Sequence, residues 1–490
     1  MKLSVNNSKS FLFWIHRWLG IAMCLLFALW FASGVVMMYV EYPELTEEQR
    51  LAQLPALDME AVSLSPFEAS RQLIGVGAYT TAKLTTILGR PVYEFVALDG
   101  RRHFVFADDG SDVPTIGKQA ALEAARLSGF ASSDSSPSYD ALIDMDQWSI
   151  AGSLNSSRPL HRIAMNDEQG RFLYVAGSSG QIVLDTTRSE RFWNWLGSTI
   201  HWIYPMQLRR DVSLWTDVIV YTSLIGIVSV VTGGIIGFMR IRIVNPYRDG
   251  DASPYKGWMK WHHILGLGSL IFVFTFIFSG LMSMGPWGIF NSSASAAPQL
   301  VRYYGSDTLR LSTLPMPPIE EVAEAVKEIE WHQIEGNYYY SLVSAPHDEE
   351  VRFAGIGVDD SKARLNELVN SAIPNLLPAA RLGSVELLRE EDNYYYARHN
   401  NIRPLPVYRA KFDDAESTWY HIDPSTGRVV NRVTDASRLE RWLFNGLHSL
   451  DFQFLLRHRP LWDLLMLLLS AIGLLFSVTA VVIGWRRLLS

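Results

Sequence analysis

Four of the twelve histidines stand at the edges of long apolar runs. His16, in Trp14-Ile15-His16-Arg17-Trp18-Leu19-Gly20, opens a run lasting to Val40. His262, in Trp261-His262-His263-Ile264-Leu265-Gly266, opens another that ends near Met284. His201 and His448 stand just ahead of two more. Ionisable side chains at membrane depth are costly, and most face a bundle interior or a function. Imidazoles in pairs suit haem iron, whose axial ligands set its potential. A zinc or copper site would want a third or fourth ligand, and the inner edges of these runs hold no carboxylate.

The pairing comes from a repeat. With His16 placed on His262, Leu19 meets Leu265, Gly20 meets Gly266, Ser33-Gly34 meets Ser279-Gly280 and Met38 meets Met284, at an offset of 246. At an offset of 247, Arg191, Trp195, Leu196, His201, Trp215, Gly226, Thr232, Gly237 and Arg240 meet Arg438, Trp442, Leu443, His448, Trp462, Gly473, Thr479, Gly484 and Arg487. The chain therefore reads as a tandem duplication, each half being membrane helix, outside domain, membrane helix. A duplicated four-helix bundle should carry a pseudo-twofold axis along the membrane normal, so equivalent histidines face one another: His16 with His262 at the inner edge, His201 with His448 at the outer. Bundles build cofactor sites in this way, from facing helices. Gly20 and Gly266 lie one turn from the inner histidines; they leave room for a flat macrocycle and equally fit close helix packing.

The expected elements follow from length and charge. A helix needs about 20 apolar residues to cross the hydrocarbon. Residues 11–40 form the first span, with Lys2, Lys9 and Arg17 before it and Glu41, Glu44, Glu47 and Glu48 after it. The positive-inside rule then places the N-terminus in the cytoplasm. At 30 residues, with no cleavage-like site closing it, this run reads as a retained anchor rather than a signal peptide. Residues 41–190 form an outside α+β domain of two small units in series. Its helices start at Ser65-Pro66 and at Lys118–Ser128, and its strands lie at Leu84–Leu88, Val92–Leu98, His103–Ala107, Arg158–Ala164, Arg171–Val175 and Gln181–Leu184. Residues 191–240 hold an interfacial aromatic helix and the second span. Residues 241–260, with Arg240, Arg242, Arg248, Lys256 and Lys260 around them, are a cytoplasmic loop. The third span covers 261–285, the second outside domain 286–437, and an interfacial helix with the fourth span 438–487, leaving Arg486-Arg487 inside. Against the charge bias, Arg209, Arg210, Arg457 and Arg459 fall on the outer side, as leaflet anchors or as partners for a cofactor's propionates.

Rivals are present. His263 competes with His262, but Arg17 stands opposite it in the repeat; His458 competes with His448, but Asp211 stands opposite it. Histidines 103, 161, 332, 347, 399 and 421 show no matched pairing and read as surface residues. Met23, Met37, Met38, Met282 and Met284 read as packing. Tyr338–Tyr340 and Tyr394–Tyr396 read as strand residues, or as a surface for a chelate.

Composition narrows the function. The chain is 48% apolar and 12% aromatic with 16 Trp, as suits membrane spans with aromatic belts. A net charge of -7 argues against nucleic acid. The single cysteine, Cys24, leaves no disulfide framework, no c-type haem attachment and no cysteine-ligated iron–sulfur cluster. Gly75-Val76-Gly77 and Gly266-Leu267-Gly268 are not completed into a dinucleotide fingerprint, and there is no P-loop. Electrons would have to come from a quinol or a partner reductase.

His-Arg-Trp-Leu-Gly at 16–20 resembles the PepSY-associated transmembrane family, as does the block Asp185–Gly197 around Arg191-Phe192-Trp193-Asn194-Trp195. So do Asp146-Gln147-Trp148, Arg158-Pro159-Leu160-His161-Arg162 and Asp423-Pro424-Ser425-Thr426-Gly427. The resemblance implies four spans and periplasmic PepSY domains, here larger and more divergent than a minimal unit. Some members are inner-membrane ferrisiderophore reductases of the ferrioxamine-reductase type, carrying b-type haems. Carried over, this makes His16, His201, His262 and His448 the ligands of two haems b, and a ferric siderophore or similar Fe(III) chelate the substrate. The alternatives are a membrane-anchored regulator or peptidase inhibitor, and an accessory subunit of a siderophore importer.

Overall fold

The computed structural model describes residues 5–490 except 74–77, 133, 293–294, 347 and 399–401. Lys2, Gly75-Val76-Gly77, His347 and His399 lie outside the described residues. Among the described residues, four helices are long and apolar enough to cross a membrane: Val5–Met37, Val212–Arg240, Trp258–Met282 and Arg459–Leu488. None has an interior proline; Pro460 occupies the first turn of the last, where its missing N–H costs nothing. Asp211 caps the second helix by accepting the N–H of Leu214, and Arg240 closes its last turn.

The first and third helices each pack against the second and fourth, so they stand diagonally across a four-helix bundle. Small residues set the approach. A Cβ on Gly473 would run into the Phe31 ring, and one on Gly237 would come within 2.7 Å of Leu267. Met23, Phe27, Phe31, Val230, Val273 and Ile277 fill the middle of the bundle.

Outside the bundle, the described residues fold into three antiparallel sheets. Strands β1 (Tyr79–Ile87), β2 (Arg90–Ala97) and β3 (Arg102–Phe106) come from the first half. So do β4 (Ser138–Ile143), β5 (Leu160–Ala164), β6 (Phe172–Ala176) and β7 (Ile182–Thr186). The second half supplies β8 (Glu328–Ile334), β9 (Asn337–Ala345), β10 (Asp348–Arg352), β11 (Leu382–Leu388), β12 (Val407–Phe412), β13 (Trp419–Ile422) and β14 (Val429–Val433). Two four-stranded meanders, β4–β7 and β11–β14, each carry a helix on one face: Lys118–Leu127 on the first and Val358–Ala372 on the second.

The third sheet corrects the expectation of separate outside domains at 41–190 and 286–437. Its order is β10-β9-β8-β1-β2-β3, with Ala82, Lys83 and Leu84 of β1 opposite Trp331, Glu330 and Ile329 of β8. Both halves therefore share one sheet and one core, from Leu84, Tyr93 and Phe95 to Ile329, Trp331 and Tyr340. Beneath the junction Glu328, fully buried, takes Arg50 at 2.5 Å and Lys83 at 3.3 Å. No local periodicity announces such a pairing, because β1 and β8 are separated by two membrane spans.

Two further expectations change. His161 and His421 are not surface residues: His161 is buried between Tyr139 and the Ile116 carbonyl, and His421 is fully buried beside Arg409. Tyr394–Tyr396 lie in a loop before β12 rather than in a strand.

Candidate functional site: two facing histidine pairs

Each meander leads into its membrane helix by the same path. After β7, Thr187 and Glu190 form a capping box that starts the helix Arg188–Asn194. After β14, Thr434 and Ser437 do the same for Asp435–Arg441. Each helix then widens into one π turn, Trp195–Thr199 or Trp442–Gly446. His201 and His448 follow directly. The interfacial aromatic helix expected ahead of the second span is thus broken into a helix, a π turn and a short helix, Met206–Arg209. Single π turns inside helices are frequent at functional sites. Beyond each histidine the chain reverses through a residue of positive φ, Ile203 at 47° and Leu450 at 51°.

The four histidines meet as two pairs. The ring centroids of His16 and His262 are 6.4 Å apart, and those of His201 and His448 are 6.0 Å apart. Two imidazoles bound through nitrogen to opposite sides of one ion, with bonds of about 2 Å, would place their centroids roughly 6 Å apart. In every case Nδ1 is taken up by a neighbouring helix. His16 Nδ1 lies 3.1 Å from the Ser229 carbonyl, and His262 Nδ1 lies 3.1 Å from Thr479 Oγ1. His201 Nδ1 is 3.1 Å from both the Trp30 carbonyl and Ser33 Oγ. His448 Nδ1 is 3.1 Å from the Phe276 carbonyl and 3.0 Å from Ser279 Oγ. A carbonyl acceptor fixes the proton on Nδ1 and leaves the Nε2 lone pair free, the usual arrangement for a ligating histidine. Among the described residues none of the four Nε2 atoms has a hydrogen-bond partner.

The walls suit a flat group. Gly20 has no atom within 4 Å of where its Cβ would be. A Cβ on Gly233 would stand 2.6 Å from His16 Cε1, and one on Gly34 3.3 Å from His201 Cε1. Gly280 stands opposite His448 in the same way, at 3.7 Å. Gly266 plays a different part from Gly20: it makes room for Phe476, whose ring stacks on His262 at 5.0 Å. Among the described residues no group of three or more His, Cys, Asp or Glu converges, so neither pair gains a third ligand of those types. Two imidazoles without a third ligand fit an ion whose equatorial positions a macrocycle fills, as in haem.

The rivals have other employment. His263 is buried, with Nδ1 at 2.8 Å from Ser253 Oγ and Nε2 at 2.9 Å from the Gly237 carbonyl, so neither nitrogen is free. His458 is exposed and holds the Phe454 carbonyl with Nδ1 at the entry to the last helix. Of the four outer arginines, Arg457 pairs with Glu390 and Arg459 with Asp463. Arg209 stacks on Tyr204 and Trp215, and Arg210 is exposed. A cation near the outer pair was missed: Arg398 reaches Asn445, Ser449 and Asp451 and lies over Phe444, whose ring packs on His448. It has no counterpart in the first half, so the repeat could not flag it.

Four apolar spans joined to a β-rich extramembrane part define a multi-pass membrane protein. Residues 13–358 match the PepSY-associated TM region. The chain belongs to that family. The match covers the first three spans; His448 and the fourth helix lie beyond it. No curated protein matches the chain.

Proposed function

We propose that the chain is an inner-membrane, di-haem b-type reductase. It passes electrons from a quinol or partner reductase across the bilayer to a periplasmic ferric siderophore or similar Fe(III) chelate, and Fe(II) is released. The observation that carries this reading is the pair of facing imidazole sites at opposite ends of one bundle, each with Nδ1 anchored and Nε2 free. A haem b between each pair would supply one-electron redox chemistry. His16 and His262 would hold the inner group, His201 and His448 the outer. The Ser229, Trp30 and Phe276 carbonyls keep the proton on Nδ1. Seventeen residues separate His16 from Ser33, a rise of about 25 Å, close to the hydrocarbon thickness. Phe27, Phe31 and Phe276 occupy the layer between the sites and exclude water from it.

The reading as a tandem duplication is supported by the matched meanders, π turns and histidines of the two halves. The periplasmic placement of the sheets is supported by Arg240, Arg242, Lys256, Lys260, Arg486 and Arg487, which gather at the other end of the bundle. The test is to mix dithionite-reduced, desalted protein with a ferric siderophore. Reoxidation of the haem with one Fe(II) trapped per electron supports the function. Haem that stays reduced against several ferric chelates overturns it.

A further inference from the structure

The turn following each outer histidine is held by a side-chain amide from the meander loop above it. In the first half Asp146 organises that loop: its carboxylate accepts the N–H groups of Trp148 and Ser149, and takes Arg162 at 2.8 Å and the Tyr174 hydroxyl at 2.9 Å. The next residue, Gln147, reaches down. Its Nε2 donates to the Tyr204 carbonyl at 2.8 Å and to Thr199 Oγ1 at 3.3 Å, and its Oε1 accepts the Met206 N–H at 2.9 Å. One amide thus ties residues 199, 204 and 206, on both sides of His201.

The second half solves the same problem with different residues. Asp392 accepts the N–H groups of Tyr394 and Tyr395 and holds Arg409 through both oxygens. Asn393 Oδ1 accepts the N–H of Gln453, the equivalent of Met206, at 3.2 Å. Asparagine is one carbon shorter than glutamine, and it does not reach the Asp451 carbonyl, the equivalent of Tyr204. Arg441 supplies that donor through Nη2, while its Nε donates to the Asn393 carbonyl at 2.6 Å. In the first half the place of Arg441 is taken by Asn194, which instead binds the Glu41 carbonyl.

We propose that Gln147 in the first half, and Asn393 with Arg441 in the second, are positioning residues for the outer histidine pair. The same backbone N–H and the same carbonyl are held in both halves although the side chains differ, which marks the turn geometry as the thing maintained. These residues touch neither imidazole. They act by fixing the chain that carries it. The role as ligand positioners rests on the haem reading above; the clamp itself does not.

The test uses full-length Gln147→Ala and Asn393→Ala in detergent with two readouts. Hydrogen exchange of residues 199–206 (or 446–453) should accelerate about tenfold, as expected for loss of one or two hydrogen bonds, with residues 16–37 unchanged. Electron paramagnetic resonance and potentiometry should show one of two low-spin signals displaced, the other unmoved and the haem count preserved. Exchange unchanged in both variants overturns the clamp. Faster exchange with both haem signals unmoved overturns the positioning role. Faster exchange in protein whose wild type carries no haem retains the clamp and overturns the haem reading instead. If one variant fails to fold, the other decides.

Discussion

Among single residues, the imidazole nitrogens left free decide which histidines can hold a cofactor. His16, His201, His262 and His448 present Nε2, whereas His263 uses both nitrogens within the protein. His263→Ala should therefore keep both haems and lose stability by about 1–3 kcal/mol, since a buried hydroxyl and a carbonyl lose their partner; haem titration and thermal unfolding separate the two effects. Gly233→Ala should do the reverse. Its methyl would displace His16, so the inner haem should fall at least severalfold in occupancy while the outer remains. His421 gives a pH prediction outside the membrane. Burial first, and the Arg409 guanidinium second, hold it down to about 3, against 6.5 ordinarily. It accepts Arg409 Nε at Nε2 and so is neutral in the fold. The unfolded chain binds the proton more readily, so this contribution to stability is whole above about 6.5 and is lost as pH falls towards 3. The slope should approach 1.4 kcal/mol per pH unit, roughly the value for one linked proton. His421→Gln should flatten the acid limb of an unfolding-versus-pH curve followed by tryptophan fluorescence. The four edge histidines were legible in the sequence because they recur at two nearly equal offsets, 246 and 247, beside apolar runs. Gly34 and Gly280 were visible only as part of the Ser-Gly repeat; their role against His201 and His448 needed the path of the chain.

At the scale of elements, the π turns decide where the outer histidines point. Inserting one alanine between Thr199 and Ile200, beyond the π turn, should rotate His201 by about 100°, one residue's turn. The outer haem should then be lost with the inner retained, as counted by pyridine haemochrome. A π turn has no sequence signature of its own; the stretch reads as an amphipathic aromatic helix, and one was expected. The spans were easier. Four apolar runs and the cationic loop around Arg242 and Lys260 suffice to place Val212–Arg240 and Trp258–Met282 within a few residues. The strands β1, β2, β3 and β5 to β7 were also legible from alternation and turns. Tyr394–Tyr396 were misplaced because three consecutive tyrosines carry strong β propensity. Here Asp392 captures the N–H groups of Tyr394 and Tyr395 and makes a loop instead.

At the scale of the molecule, two halves that look independent in sequence share one sheet. Glu328 is the buried anion at their junction, with Arg50 and Lys83 as its partners. Glu328→Ala should destabilise the extramembrane part by roughly 1–3 kcal/mol, less than for a fully buried pair because both cations keep some water; thermal unfolding followed by circular dichroism would read it. A shared sheet also fixes the two meanders relative to one another, and through them the two outer histidines. Each facing pair of histidines is proposed to hold a haem. The most direct measurement is an absorption spectrum of the purified protein, oxidised and then dithionite-reduced, with haem counted per chain. The expected result is sharp low-spin b-type bands and two haems per chain, one lost in His16→Ala/His262→Ala and the other in His201→Ala/His448→Ala. Protein made with ample haem supply that carries none would contradict it.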